Sequence, residues 1–352
     1  MKLSNSPRIA ITGLARGENP QPGGALVRSI RRAWPNAYIV GLVYDAQESG
    51  IYADDKPDIV HTIPYPSSGK QALLDRIETI LEISSFDILL PTLDAEIEPL
   101  IKMNDALIEM GITTIIPSLD SFQKRTKANL TELCKNADVR TPKTLTAQSA
   151  SSAIEAAKEI GFPAFIKGPY YDAYRVYGSS DIIARANALL AEWGGPLLLQ
   201  EEKLGSEFNI IGVGDGEGKI LTKCSVRKTV VSSKGKGYGG VTVNDPKLNE
   251  LCDKIISELQ WFGPFELEFI REESTGDYYL LEINPRFPAW ADVPALLGSN
   301  MAQTAILLAT GQELETQGDC PVGQFFLRHN IDLVGSVNEF GQLMANGTLQ
   351  TI

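Results

Sequence analysis

Two short stretches of the chain carry acidic, amide and basic side chains at alternate positions of otherwise apolar runs. The first is "FELEF" at residues 265–269, and the second is "LLEINPR" at residues 280–286. Because side chains of a strand alternate between its two faces, Glu282, Asn284 and Arg286 are expected to share one face. Such an ordered polar face on an apolar strand indicates a binding site.

The segment between the two stretches, "REESTGD", has the composition of a turn. A hairpin centred near Thr275 would set Glu268 opposite Glu282 and Glu266 opposite Asn284. Leu281 and Ile283 are then expected on the other face, away from the acids. The sequence therefore predicts two glutamates facing each other on neighbouring strands.

Facing carboxylates repel each other, and a divalent cation is the natural compensation. Carboxylate and amide oxygens are hard ligands that suit Mg²⁺ or Mn²⁺, and Mg²⁺ usually completes its coordination with substrate phosphates. Arg286 either neutralises the acids or waits for an anion. The pattern thus favours a metal-dependent nucleotide site, and the alternative is a solvated hairpin face without a ligand.

Composition narrows the class of protein. The chain has 352 residues, 43% of them hydrophobic and 22% charged, which is typical of a soluble globular protein with two or three packed units. A formal charge of −12 argues against nucleic acid or an anionic membrane as partner. The N-terminal segment lacks a signal-peptide core, no run approaches the ~20 apolar residues of a membrane span, and the four cysteines form no CxxC pair. We expect a cytoplasmic protein without a zinc site or disulfide framework.

The elements that must position these residues fall into two classes. Over residues 1–117, short β-rich runs alternate with helical patterns, which predicts a Rossmann-like α/β domain with a parallel sheet. The glycine-rich loop after its first strand does not match GxGxxG and is a weak dinucleotide signal. A helix is predicted over residues 121–136, and the later strands are joined by turns, among them "GVGDGEGKI" at residues 212–220. The predicted fold class is α/β plus α+β, with antiparallel sheets in the second part.

Four motifs, taken together, resemble the ATP-grasp superfamily, and most closely the synthetase modules of the carbamoyl-phosphate synthetase large subunit and biotin carboxylase. "GPFELEF" with "LLEINPR" looks like the metal-binding signature, "QEEKLGSEFNIIGV" like the hinge between two nucleotide-grasping lobes, "GFPAFIKGP" like the phosphate-binding lysine strand, and "RTKANLTELCKNADVRTPKT" like the entry helix with a second lysine. They occur in the family's order. The resemblance implies a Rossmann-like pre-ATP-grasp domain over residues 1–117, an N-terminal ATP-grasp lobe over 118–200 and a C-terminal lobe over 201–352.

The resemblance also implies roles for individual residues. It makes Glu268, Glu282 and Asn284 the metal ligands, and it makes Arg286 and Lys167 the candidate catalytic residues, with Arg286 holding the transferred phosphoryl group or the substrate carboxylate.

The implied nucleotide contacts are Lys127 and Lys167 on the phosphates, Glu201 and the backbone of Lys203 and Leu204 at the adenine edge, Glu207 on the ribose hydroxyls, and Ile270 against the adenine ring. Two alternatives stay open, because Lys124 lies one helical turn from Lys127 and Glu202 adjoins Glu201.

The chemistry implied by the resemblance is ATP- and Mg²⁺-dependent ligation. A carboxylate takes the γ-phosphoryl group to give an acylphosphate and ADP, and an amine, or else a thiol, then displaces phosphate. Phosphoryl transfer needs charge neutralisation more than a protein nucleophile, so the lack of a Ser-His-Asp arrangement is expected. The expected partners are a small molecule or peptide carrying a carboxylate and a nucleophilic co-substrate, and a homodimer is left open.

Two other functions remain as alternatives at this stage. One is a nucleotide-binding regulatory or scaffold module, because the segment after Lys167 departs from the family's glycine-rich flap and carries tyrosines over residues 170–177. Tyr170, Tyr171, Tyr174 and Arg175 are candidates for substrate contact there. The other is a carboxylase-like activity, although the chain has one grasp module and no evident glutaminase. No function is assigned to residues 313–352.

Two further segments are expected near the site. The loop over residues 227–240 carries four basic residues and four glycines, and we interpret it as an anion-attracting loop. The "FPAWADVP" segment after Arg286 is expected to shape the pocket for the acceptor substrate, with Phe287 and Trp290 as its large side chains.

Overall fold

The computed structural model describes residues 6–15, 21–169, 172–231, 237–314 and 317–351. Its strands form three sheets of six, six and four strands. No helix in these ranges is both long enough and apolar enough to cross a membrane.

The first part of the chain alternates strands and helices, as its sequence predicts. Its elements are β1 (Arg8–Thr12), α1 (Gly23–Ala33), β2 (Tyr38–Val43), β3 (Ile59–Thr62), α2 (Lys70–Ile83), β4 (Ile88–Leu90), α3 (Asp94–Glu109) and β5 (Thr113–Thr114). All five strands pair in parallel, in the order β3-β2-β1-β4-β5. Helices α2 and α3 pack on one face of this first sheet and α1 on the other. Apolar runs such as "IAIT" and "IVGLV" are buried because helices cover both faces.

The middle of the chain builds a small antiparallel sheet. Its elements are α4 (Leu119–Lys124), α5 (Leu130–Asn136), β6 (Thr144–Ala147), α6 (Ala150–Ile160), β7 (Ala164–Lys167), β8 (Ala173–Val176), α7 (Ser179–Trp193) and β9 (Leu197–Glu201). The strands of this second sheet lie in the order β6-β9-β7-β8, and α6 and α7 cover its apolar face. Lys167 lies on β7 and Gln200 lies on β9. These two central strands of the sheet pair with each other.

The rest of the chain forms the large antiparallel sheet. Its elements are β10 (Gly205–Asp215), β11 (Ile220–Val231), β12 (Gly237–Val243), α8 (Pro246–Leu259), β13 (Phe262–Glu272), β14 (Tyr278–Asn284), α9 (Asp292–Leu296), α10 (Met301–Ala309), β15 (Phe325–Leu327), α11 (Val337–Asn346) and β16 (Thr348–Gln350). This third sheet has the order β14-β13-β10-β11-β12-β15. The predicted organisation, a parallel α/β sheet followed by antiparallel sheets, is confirmed.

Strand β16 is not part of the third sheet. It pairs antiparallel with β3 at the edge of the first sheet. Its Leu349 is buried in the same core as Val60, to which it lies opposite. That core also contains Met301 and Ala305 of α10 and side chains of the third sheet. The first and third sheets therefore share one hydrophobic core.

The predicted single helix over residues 121–136 is wrong. It is divided into α4 and α5, and residues 125–129 between them form a turn closed by a hydrogen bond from the Asn129 amide N–H to the Thr126 carbonyl. The Asn129 side chain also donates to the Gln123 carbonyl. An Asn side chain that hydrogen-bonds to nearby backbone groups competes with the hydrogen bonds of a helix. This competition explains the break between α4 and α5.

Candidate functional site

The predicted pairing of the two polar stretches is confirmed. Strands β13 and β14 place Glu268 directly opposite Glu282 and Glu266 directly opposite Asn284. The Asn284 amide donates to Glu266 Oε2 at 3.0 Å and to Glu268 Oε1 at 3.1 Å. One side-chain amide thus bridges two carboxylates on the neighbouring strand.

A bulge follows this pair, because the register shifts after Glu268 so that Phe269 pairs with Leu280. Leu281 is the extra residue, and a bulge turns the side chains of two consecutive residues toward one side of a strand. Leu281 lines a cleft of about 230 Å³ together with Lys127 and Lys167. The expectation that Leu281 points away from the site is therefore wrong, and Leu281 joins the residues available to a ligand.

Glu266 is the most enclosed acid of the site. Its carboxylate accepts from Asn209 Nδ2 at 2.6 Å, from Trp290 Nε1 at 3.2 Å and from Asn284, and Arg286 lies 3.5 Å away. Burial raises the pKa of Glu266, and the nearby charge of Glu268 acts in the same direction. Sequence analysis placed Glu266 opposite Asn284 but gave it no function.

Lys228 is a site residue that sequence analysis left within a generic basic loop. Its Nζ lies 2.8 Å from Glu207 Oε2 and 2.9 Å from Glu268 Oε2, and its side chain is only 7% exposed. Burial disfavours the charged amine, but the two carboxylates raise the pKa of Lys228 overall. The turn near residue 216 could have predicted this contact. It joins β10 and β11 so that Phe208 pairs with Arg227, and Lys228 then lies beside Glu207.

Two lysines, Lys127 and Lys167, line the cleft. Lys127 Nζ is 3.7 Å from Glu282 Oε1, and Lys167 Nζ donates to Gln200 Oε1 at 2.6 Å. Burial lowers the pKa of Lys167 to about 8, while the charge of Glu282 opposes that shift. The cleft also contains Leu130, Thr144, Leu198 and Gln200.

Lys124, the alternative to Lys127 as a phosphate-binding residue, makes a different contact. Lys124 lies on α4 and pairs with Asp120 at 2.7 Å, on the same helix. Lys127 lies in the turn after α4 and reaches Glu282. Because the helix breaks between them, the two lysines do not stack on one helical face.

The segment that resembles the hinge follows β9. Glu201 pairs with Lys203 at 2.6 Å and accepts from the Lys143 amide at 3.2 Å, whereas Glu202 pairs with Arg175 at 2.7 Å. Lys203 also lies 3.3 Å from Glu272 and 4.4 Å from the centre of the Tyr279 ring.

Two nucleotide-contact candidates lie next to this segment. Leu204 is exposed, and its carbonyl accepts from the Glu273 amide. Ile270 is buried opposite Tyr279 and Glu207, on the face of the third sheet that carries Glu268, and it does not line the cleft formed by the described residues.

Arg286 connects the third sheet to the first. Its Nε donates to Asp94 Oδ2 at 3.2 Å, and Asp94 begins α3. Burial disfavours the charge on Arg286, but the surrounding carboxylates, Asp94 first and Glu266 next, raise its pKa. In this structure Arg286 neutralises Asp94 and Glu266.

The segment after Arg286 packs inward. Phe287 is 1% exposed and Trp290 is 7% exposed, and the Trp290 ring stacks on Phe326 with centroids 5.7 Å apart. Both side chains are buried in this structure, and a role of this segment in shaping the acceptor pocket stays a prediction. They hold Glu266 and the start of α9 in place.

The tyrosine-rich segment is only partly within the described residues, since Tyr170 and Tyr171 lie outside them. Tyr174 lies under the Arg185 guanidinium at 4.3 Å, and Arg175 lies over Tyr177 at 4.9 Å while it pairs with Glu202. In the basic loop, residues 232–236 are likewise outside the described part, and its flanks extend β11 and β12.

The oxygen atoms of this site fit a hard divalent cation. Within the residues that the structure describes, no three Asp, Glu, His or Cys side chains converge to hold an ion. Metal binding would therefore rest on Glu268, Glu282, the Asn284 amide and oxygen atoms of the nucleotide, a ligand set that Mg²⁺ commonly uses. Lys228 and Lys127 neutralise the two carboxylates in this structure.

Comparison with known proteins gives one family and a shared fold. Residues 196–325 match the family model described as "ATP-grasp in the biosynthetic pathway with Ter operon". The Campylobacter jejuni biotin carboxylase complexed with β,γ-ATP has a TM-score of 0.71 and 17% identity, covering 90% of this chain and 74% of that one.

Two other solved structures also have a fold similar to that of this chain. The biotin carboxylase domain dimer of the Hydrogenobacter thermophilus 2-oxoglutarate carboxylase, in complex with MgADP, ADP and bicarbonate, has a TM-score of 0.69 and 18% identity over 90% of this chain and 73% of its own. An L-amino acid ligase from Bacillus licheniformis has a TM-score of 0.64 and 13% identity over 88% and 75%.

The match covers the lobe that carries the facing glutamates, and the fold agreement extends over about nine-tenths of the chain. The chain therefore contains a segment that matches an ATP-grasp family model, and it shares its three-sheet fold with these solved structures.

Proposed function

We propose that this ATP-grasp enzyme is an ATP- and Mg²⁺-dependent ligase that joins a carboxylate to an amine, or to a thiol, through an acylphosphate. One observation carries the proposal: Glu268 and Glu282 face each other beside Asn284, and Lys127, which lies 3.7 Å from Glu282, lines one cleft together with Lys167. A protein that only binds a nucleotide has no need of two facing metal carboxylates. The substrate is an amino acid or a peptide.

Each residue has a distinct task in this proposal. Lys127 and Lys167 bind the nucleotide phosphates, and Arg286 binds the phosphoryl group as it moves to the carboxylate. Glu268, Glu282 and Asn284 would hold Mg²⁺, which neutralises phosphate charge when bound.

The adenosine is assigned to the cleft and the segment beside it. Leu198 and Leu281 offer the base an apolar surface, and Glu201 with the backbone of Lys203 and Leu204 meets its edge. Glu207 contacts the ribose hydroxyls, and Ile270 remains a proposed contact of the adenine ring. Two of the similar solved structures contain β,γ-ATP or MgADP, which supports an adenine nucleotide as the ligand.

The expected surroundings of the enzyme are also part of the proposal. We expect small-molecule or peptide substrates and a cytoplasmic location, which the free state of Cys134, Cys224, Cys252 and Cys320 supports. A homodimer stays a prediction. A carboxylase-like reaction is the second candidate, because two of the similar structures are biotin carboxylases or contain their domain.

The test is a screen of carboxylates with MgATP and hydroxylamine, which traps an acylphosphate as a hydroxamate. We expect hydroxamate and ADP to form together for one class of carboxylate. Dependence on bicarbonate without any hydroxamate from the added carboxylates would favour the carboxylase, and tight ATP binding without ADP release across the panel would favour a regulatory module.

Glu282→Ala tests the site itself. We expect it to abolish Mg²⁺-dependent ADP release while the melting temperature stays close to that of the wild type, because removing one facing acid relieves repulsion. Glu273→Ala, an exposed change in the turn of the same hairpin, serves as the control and should keep full activity. Wild-type turnover by Glu282→Ala would show that the metal site has been assigned to the wrong residues.

A further inference from the structure

Asp94 brings a carboxylate from the first sheet's domain into the site. It lies 3.2 Å from Arg286, and the two side chains are 25% and 16% exposed, so a small ligand can reach both. Asp94 begins α3, directly after the loop that leaves β4. The site therefore presents opposite charges side by side, the positive one from the third sheet and the negative one from the first domain.

A second acceptor lies at the same edge of the first sheet. Gln21 Oε1 is buried and has no hydrogen-bond partner within the part of the chain that the structure describes. A Cβ atom on Gly13 would lie 3.1 Å from this oxygen and 2.4 Å from Thr92 Oγ1, which places Gln21 beside Thr92, two residues before Asp94. This oxygen has almost no accessible surface, so a ligand at Asp94 does not contact it in this conformation.

The location suits a ligand on topological grounds as well. Strands β1 and β4 are neighbours at the point where the strand order of the first sheet reverses. Open α/β sheets bind ligands outside the carboxyl ends of their strands at such a point. Gly13 follows β1 and Thr92 follows β4, so this corner is at that edge.

We propose, on the basis of the ligase function above, that Asp94 selects a cationic amine as the nucleophile. The ammonium group of an amino acid or peptide binds Asp94, while Arg286 binds the acylphosphate. A carboxylate at this position repels thiolates and bicarbonate, so it discriminates against the thiol and carboxylase alternatives by charge.

The proposed step balances as follows. The amine nitrogen attacks the acyl carbon, the new C–N bond forms, and the C–O bond to the phosphate breaks. The bound ammonium loses two protons in this step. The first goes to the Asp94 carboxylate and then to solvent before attack, which frees the nitrogen lone pair, and the second leaves the nitrogen after the C–N bond forms and goes to the departing phosphate or to solvent. Inorganic phosphate leaves beside Arg286. No oxidant or reductant is needed.

The experiment compares two products of the same activated carboxylate. The probes are pairs of the proteinogenic amino acids with MgATP, with amide formation measured by mass spectrometry, and separately hydroxylamine, which is largely uncharged at neutral pH and needs no ammonium site. We expect Asp94→Asn to lower kcat/KM for the amine about 10- to 100-fold, the loss of one charge-assisted contact, and to lower hydroxamate formation much less. Asp94→Glu should recover part of the amide activity.

Glu98→Gln is the matched control, because Glu98 lies on the same helix in an exposed ion pair with Lys102. It should match the wild type in both assays. Equal loss of amide and hydroxamate in Asp94→Asn would mean that Asp94 only holds Arg286, and a wild-type preference for thiols would also overturn the inference. No hydroxamate from any carboxylate would instead contradict the ligase function on which the inference rests.

Discussion

Lys167 is a phosphate-binding candidate whose charge depends on pH near neutrality. It lies on a central strand of the second sheet, and burial lowers its pKa to about 8. The Lys167 ammonium therefore begins to lose its proton just above physiological pH, where an exposed lysine stays fully charged.

We expect kcat/KM for ATP to fall as pH rises through about 8, because neutral Lys167 no longer attracts phosphate and kcat/KM reports the free enzyme. Lys167→Arg should move this decline to higher pH, since a guanidinium stays charged. Lys124→Arg, on an exposed lysine paired with Asp120, is the control and should keep the wild-type profile. A wild-type profile that stays flat to pH 10 would contradict the assignment.

Lys228 neutralises Glu207 and Glu268, so its removal should have two effects. Lys228→Met should lower the free energy of unfolding by about 2 kcal/mol, because two partly buried carboxylates lose their counter-charge. Mg²⁺ should then stabilise the variant more than the wild type, since the bare carboxylates attract it. Chemical denaturation with and without Mg²⁺ measures both effects.

Lys223→Met provides the comparison on the same strand, because Lys223 pairs with the more exposed Asp253. We expect this change to alter stability by less than about 1 kcal/mol. An equal response of both variants to Mg²⁺ would mean that Lys228 does not compete with Mg²⁺ for the proposed metal ligands.

At the scale of elements, His61 of β3 helps to hold β16 at the edge of the first sheet. This side chain is fully buried, with Nδ1 2.9 Å from Thr348 Oγ1 and Nε2 2.6 Å from Ser84 Oγ. Burial, with the charge of Arg76, lowers its pKa to about 4. His61 is therefore neutral in the folded protein under conditions where an exposed histidine is protonated.

We expect His61 to weaken the fold as pH falls from about 6.5 to 4. In this window the unfolded chain binds a proton that the folded chain does not, so the free energy of unfolding decreases with falling pH. His61→Gln should reduce that dependence, measured by denaturation at several pH values. His329→Gln, at the exposed histidine, should leave it unchanged, and equal slopes for all three proteins would refute the prediction.

Elements differ in how far the sequence determines them. The β13–β14 register follows from alternation and one turn, so the facing of Glu268 and Glu282 was predictable. The bulge at Leu281, the break between α4 and α5, and the pairing of β16 with β3 depend on contacts between distant segments, which a local pattern does not contain. Lys228 was missed because its position beside Glu207 depends on the register of a hairpin that is irregular at Val213 and Gly214, and its contact with Glu268 depends on a third strand.

At the scale of the whole molecule, the predicted ATP-grasp fold is confirmed, and the site combines all of its sheets. Lys167 comes from the second sheet, the proposed metal ligands come from the third, and Asp94 comes from the first domain. The division at residues 117 and 200 stays a prediction, although the common core of the first and third sheets makes the first domain depend on the rest of the chain. The net charge of −12 is compatible with this site because its cations are few and enclosed.

The return of β16 brings two segments that are far apart in the sequence to one edge of the first sheet. Gln350 lies opposite Ile59, at the edge of the first sheet where its parallel strands begin, and Arg8 begins β1 at that same edge. Strands β2 and β3 separate the two, a distance of roughly 14 Å at the usual strand spacing. A pair of fluorescent labels at these two positions would therefore report directly whether β16 is paired with the first sheet.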